Sequence, residues 1–205
     1  MRPIRKGPEP PELREWKAKT SDDWQPTYSN LSNLAKDAIR RDLLKEQGAV
    51  CCYCEQRIEA QSGTSHIEHL EPQTSEEGRG RGLDYTNMLY SCSATRSQHC
   101  GHKKQETRLG VHPLMEDCTS HFEFGSDGGV AANRSAKNKE AGIGAIKTLG
   151  LNAEPLRLLR REALDSLLRY LDAEQLDRIP TDLMQRDEEG KNLPFATFLV
   201  QVLAR

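Results

Sequence analysis

Four cysteines constrain this chain more than any other feature. Cys51 and Cys54 stand in a Cys-Cys-Tyr-Cys run, and Cys92 and Cys100 follow well downstream. A two-residue gap lets both thiolates of the first pair reach one tetrahedral ion from a knuckle turn, and a remote second pair ties distant segments to it. That is the pattern of a four-thiolate structural zinc site. Cys52 then points away and reads as a small core residue. Seven residues separate Cys92 from Cys100, so Ser93 to His99 must bulge out, which costs little because closure entropy grows slowly with loop length. The alternative is a free thiol at Cys92 or Cys100, with His99 or His102 completing the site. Cys118 has no neighbour in sequence and reads as a buried thiol.

Six cysteines could instead form disulfides in a secreted chain. The stretch Met1 to Pro11 is charged and proline-rich, without the apolar run of a signal peptide. No segment has the roughly 20 apolar residues a membrane helix needs. The expectation is a cytoplasmic protein with reduced thiols and no membrane contact. Its 205 residues suffice for one domain with appendages. Hydrophobic residues make up 36% and charged ones 29%, a lean composition that implies partner-covered surface. The net charge of −2 excludes a global basic field. Any nucleic-acid contact must use local patches, of which Arg79 with Arg81 and His102 with Lys103 and Lys104 are the candidates.

Three regions are expected: an arm and helix over 1–47, a central region over 48–133, and a helical region over 134–205. Five prolines and two tryptophans in residues 1–28 predict an extended arm packed by its aromatics. Leu31, Leu34, Ala35, Ala38, Ile39 and Leu43 follow helical spacing, to stop at Gly48. A knuckle runs to Ile58 and a turn covers Gln61 to Thr64. A polar loop spans 74–82, and Asp84 to Cys92 suits a helix or a short strand. Phe122, Phe124 and Val130 around Ser-Asp-Gly-Gly predict a hairpin. Helices follow near 135–149, after an Asn152 cap with Leu156, Leu159, Ala163, Leu167 and Leu171 on one face, and over Phe195 to Leu203. The fold class is α+β, mainly helical.

Between the cysteine pairs lies Ser65-His66-Ile67-Glu68-His69-Leu70-Glu71-Pro72. On a strand, Glu68 and His69 leave opposite faces. A carboxylate suits a hard ion such as Mg²⁺ or Mn²⁺, and an imidazole with an ordinary pKa near 6.5 suits proton abstraction. This makes Glu68 the ion ligand and His69 the general base, the pair that metal-assisted phosphodiester hydrolysis needs. His66 is the rival for the base.

Together, Cys51 to Cys54, the His-Ile-Glu-His-Leu-Glu-Pro run, Asn87 and Cys100-Gly-His-Lys-Lys resemble the HNH endonuclease pattern. More narrowly, the chain resembles the PtuB family of HNH nuclease subunits from Septu and retron-linked defence systems. The likeness extends to the Met1 to Pro10 stretch, Leu44 to Gln47, and Leu149 to Arg160. It implies a ββα-metal core with structural cysteines, His69 as the first His of the motif, and Asn87 as the amide that braces the loop holding the base. It places His102 beside Glu68 as a ligand of the catalytic ion. It also implies a nucleic-acid substrate, DNA or RNA including tRNA, and an ATPase partner of the SMC or ABC type (PtuA-like). The long gap between Cys92 and Cys100 departs from minimal HNH proteins and leaves His99 as a competing ligand.

Overall fold

The computed structural model describes residues 1–60, 63–93, 98–170 and 182–204. Expectations for Gln61, Ser62, 94–97 and Leu171 fall outside them.

The proline-rich arm is not wholly extended. Helix α1 (Pro11–Lys17) starts on a proline, which a first turn tolerates because its missing N–H has no partner there. It buries only Leu13, too little for a periodic signal in sequence. Trp16 and Trp24 meet edge-on at 5.4 Å, so the aromatics do pack. Helix α2 (Asn33–Glu46) begins where the Ser32 side chain accepts the Ala35 N–H, and it buries Ala35, Ala38, Ile39 and Leu43. Leu34, expected on that stripe, is 71% exposed.

Gly48 ends α2 at φ +60°, where a Cβ would lie 2.9 Å from the Asn192 amide nitrogen and 2.4 Å from its side-chain nitrogen. Glycine is therefore required to bring the chain into the knuckle. The knuckle closes through an isolated bridge between Val50 and Arg57 and through Cys51 N–H donating to Gln56 O at 2.9 Å. Strand β1 (Ser65–His69) pairs antiparallel with β2 (Met88–Cys92), with His66 opposite Ser91 and Glu68 opposite Leu89. The segment left open between helix and strand is both: a 3-10 turn at Tyr85–Asn87, then β2, every residue of which is buried. Helix α3 (Cys100–Lys104) follows and packs on β2.

The hairpin forms as β3 (Phe122–Phe124) and β4 (Val130–Ala132). Helix α4 (Lys139–Leu149) starts later than expected, because the Asn138 side chain caps it. Asn152 does not cap helix α5 (Glu154–Tyr170). Its amide instead binds Val130 at both ends, accepting from N–H and donating to O at 2.8 Å each, and so pins the hairpin. On α5 the expected stripe is largely kept: Leu156 is buried and Ala163 and Leu167 pack against the core, while Leu159 is exposed and the buried Arg160 and Leu164 extend the inner face. Helix α6 (Ala196–Leu203) closes the described chain.

One hydrophobic cluster takes in Leu13, Ile39, Tyr53, Tyr90, Phe122, Leu156 and Phe198, and thus joins arm, central region and C-terminal helices. Among the described residues the architecture is α+β, helices around two small sheets. Among the described residues no helix is long and apolar enough to cross a membrane.

Candidate functional site

The cysteine centre is built by three segments. The knuckle after α2 supplies Cys51 and Cys54, the end of β2 supplies Cys92, and the start of α3 supplies Cys100. All four are buried, and their sulfurs lie within 4.8 Å of one another. Cys54 Sγ and Cys92 Sγ are 3.9 Å apart. In a tetrahedral site with Zn–S bonds of about 2.3 Å, sulfurs stand about 3.8 Å apart, so the spacing fits such an ion. The Cys92 N–H donates to Cys51 Sγ at 3.3 Å, which orients that sulfur. Four buried cysteines thus can hold a metal such as zinc.

Electrostatics favour a cation there. Burial opposes ionisation of Cys51, but hydrogen bonds from the surrounding cysteines, Cys100 first, hold its thiol well below the ordinary value. Burial and then bonds to Cys51, Cys54 and Cys92 push Cys100 well above it. The sulfurs cannot all ionise together without a positive charge between them. His99, the competing ligand, sits outside the set, its Nδ1 3.2 Å from Cys100 Sγ and 3.7 Å from Cys92 Sγ. Arg160 is 2% exposed and donates to Gly128 O and Leu151 O. Cys52 and Cys118 are also buried, in the hydrophobic core, and belong to no metal-ligating group among the described residues.

Beside this centre, β1 presents His66 and Glu68. Strand alternation puts residues two apart on one face. Glu68 is 7% exposed. Its Oε1 accepts from Tyr53 OH at 3.2 Å and pairs with Lys104 Nζ at 2.9 Å. Its Oε2 faces His66 Nε2 at 3.2 Å. Burial opposes the charge, but the His66 bond and the Lys104 ammonium outweigh it and keep Glu68 ionised below the ordinary carboxylate range. Gly101 makes room for this pair: a Cβ there would come within 2.4 Å of Glu68 Oε2 and 2.6 Å of His66 Nε2. His102 is exposed and stacks on His66 at 4.2 Å, so it reaches Glu68's neighbourhood through His66.

Lys104 departs from the surface role expected of it. It is 1% exposed and also donates to His69 O at 3.0 Å, linking α3 to the end of β1. Of the two basic patches, that one is therefore smaller than the sequence implied. Arg81 is drawn into an ion pair with Asp84 at 2.9 Å, while Arg79 is exposed.

His69 leaves β1 on the other side. Its Nε2 lies 3.0 Å from Gly82 O; a carbonyl only accepts, so Nε2 carries the proton and Nδ1 has the lone pair. Gln73 Nε2 donates to Nδ1 at 3.1 Å, and Tyr28 meets the ring edge-on at 4.6 Å. Burial is the main influence on the ring and lowers its pKa, favouring the neutral form. A single open groove is lined by both Glu68 and His69, with Tyr28, Gln73 and Gln105.

Asn87 is 1% exposed. Its Oδ1 accepts from Glu71 N–H at 2.8 Å and its Nδ2 donates to Glu71 O at 3.0 Å, while its own carbonyl accepts from Leu70 N–H at 2.9 Å. The loop that follows His69 is thus tied to the turn before β2. Sequence reasoning passed over Tyr53, Gly101 and the buried face of Lys104. The period-two spacing of His66 and Glu68, and a glycine directly after Cys100, were the signals available.

No protein-family model matches the chain. It is 29% identical over 148 residues to a protein of Vibrio cholerae serotype O1 biovar El Tor named "Retron Vc95 putative HNH endonuclease". The alignment covers 70% of this chain and 71% of that relative.

Proposed function

We propose that the chain is a metal-dependent endonuclease of the HNH kind, in which β1, β2 and α3 form the ββα-metal core and zinc on Cys51, Cys54, Cys92 and Cys100 holds its frame. The observation that carries this reading is the groove shared by a fixed carboxylate, Glu68, and a neutral histidine, His69, whose Nδ1 lone pair is set by the Gly82 carbonyl.

In this reading Glu68, with His102, would hold a divalent ion, Mg²⁺ or Mn²⁺. Such an ion supplies charge stabilisation to the scissile phosphate and the leaving oxygen. His69 Nδ1 takes the proton from the attacking water, after Gln73 swings off it. Tyr53 and Lys104 fix Glu68 at Oε1, and the His66 bond to Oε2 together with the Lys104 ammonium keeps the carboxylate ionised. Asn87 braces the loop behind the base through Glu71. By its likeness to the PtuB family and to the retron protein, the chain acts on nucleic acid as the effector of an antiphage complex with an SMC- or ABC-type ATPase.

The test is cleavage of duplex DNA, single strands and tRNA, with Mg²⁺ or Mn²⁺, by the chain alone and with its ATPase. Cleavage should require the ion, and His69→Ala should lower the rate by on the order of 10²- to 10⁴-fold with zinc content unchanged. Undiminished cleavage by that variant removes His69 from the chemistry. Absence of ion-dependent cleavage in the complex leaves a zinc-bearing adaptor instead.

A further inference from the structure

On the other side of the knuckle lies a partly enclosed cleft of about 240 Å³, lined by Arg2, Arg5, Glu46, Cys52, Arg186 and Asn192 among others, and by none of His66, Glu68 or His69. Three guanidiniums meet one carboxylate there, and the carboxylate is already committed. Glu46 pairs with Lys6 at 2.7 Å and accepts from Gly7 N–H at 2.8 Å and Tyr85 OH at 2.9 Å. The cleft therefore has an excess of positive charge between low-dielectric walls, which focuses the field on an anion.

Two of the arginines are held in place by backbone. Arg2 Nη2 donates to Met184 O at 3.1 Å, and Arg186 donates to Lys45 O at 2.9 Å and to Glu46 O at the end of α2. A guanidinium has five N–H donors in a rigid fork, so these bonds leave donors over on both residues. Arg2 Nη1 and Asn192 Oδ1 are buried with no hydrogen-bond partner among the described residues. Asn192 is itself 3% exposed. Buried polar atoms are rarely left unpaired, and each such atom calls for a water, an ion, a ligand or strain to account for it. Arg5 is exposed and makes no ion pair among the described residues.

We propose that this cleft binds a phosphate group, with Arg2, Arg5 and Arg186 as its donors. Guanidinium forks match oxyanions through paired hydrogen bonds. A carboxylate has two oxygens to offer three arginines, whereas a phosphate ester offers more and fills the space better. Asn192 Oδ1 takes a hydroxyl or N–H from the same ligand. The site is separate from the catalytic groove, so it stands or falls independently of the nuclease reading.

The experiment is calorimetric titration of the zinc-loaded full chain at constant ionic strength, in chloride, with inorganic phosphate, a nucleoside monophosphate and a short oligonucleotide. At least one probe should bind. Arg5→Ala should weaken it on the order of tenfold, the loss of one charge-assisted contact, and Arg5→Glu more. Neither change touches the bonds of Arg2 or Arg186, so the fold is kept, and melting checks this. Tightest binding of the free ion, the mononucleotide or the oligonucleotide identifies the source of the phosphate. No heat with any of the three, or equal affinity in Arg5→Ala and Arg5→Glu, overturns the proposal.

Discussion

At the scale of single residues, the proposed chemistry depends on how tightly a few side chains are fixed. Glu68 is held at three points, and glycine at position 101 leaves room for its Oε2 to meet His66. Gly101→Ala should therefore push apart Glu68 and His66 at their tips while the backbone stays in place. The expected outcome is loss of ion-dependent cleavage with little change in melting temperature. A large fall in melting temperature would show instead that Gly101 serves packing. Asn87→Ala removes three bonds from a buried amide and leaves both Glu71 backbone groups unpaired. Unmade buried hydrogen bonds cost about 1–3 kcal/mol each. Thermal melting should register that loss, and turnover should fall with it because the loop behind His69 loosens. Of this candidate site, Glu68, His69 and the four cysteines were singled out in the sequence by residue type and spacing, and Asn87 only by the resemblance to the HNH pattern. The burial of Lys104 could not be read there. A lysine in a run with His102 and Lys103 looks like a solvated patch, and only tertiary packing places its ammonium between Glu68 and the His69 carbonyl.

At the scale of elements, the knuckle and β2 are joined by one side chain from the end of α2. Gln47 donates to Val50 O at 2.9 Å and Tyr90 O at 2.8 Å, and its Oε1 accepts Tyr90 N–H at 2.7 Å. It thus acts as a short extra strand along β2, and it is only 2% exposed. Gln47→Ala should cost a few kcal/mol, from about 1–3 per buried group left unpaired. It should also speed zinc loss to a chelator, because Cys51 and Cys92 lose their mutual alignment. Melting and a zinc-release assay read the two effects; a stable variant that holds zinc normally would rule out this link. Helix α2, the hairpin and α6 were legible because their apolar spacing and turn residues agree with their environment. Helix α1 was not, because seven residues with a single buried side chain carry no period. On α5 the expected face held at Leu156, Ala163 and Leu167 and failed at Leu159, whose place toward the core is taken by a buried arginine, Arg160, that an apolar pattern passes over.

At the scale of the whole molecule, the cysteine centre and the hydrophobic core are one structure. Cys51, Cys54, Cys92 and Cys100 belong to the same cluster as Leu13 of α1, Ile39 of α2, Leu156 of α5 and Phe198 of α6. Around the centre the backbone is also strained, since Ala49, Glu55, Cys100 and Gln105 all adopt positive φ without being glycine. Such conformations cost of order 1–3 kcal/mol each and persist only when the surroundings enforce them. A structural zinc contributes an apparent 10–16 kcal/mol or so, comparable to or larger than the roughly 5–15 kcal/mol stability of an entire domain. With zinc on the four cysteines as proposed, removing it should therefore unfold the chain as a unit. Strong chelation should abolish near-UV circular dichroism in one transition. All six thiols should become reactive together, including Cys118, whose pKa burial pushes up to about 11 and which the folded chain protects. Timed alkylation with mass spectrometry distinguishes this from a local event. If four cysteines react while Cys52 and Cys118 remain protected, the core survives the metal, and zinc orders only the knuckle and α3.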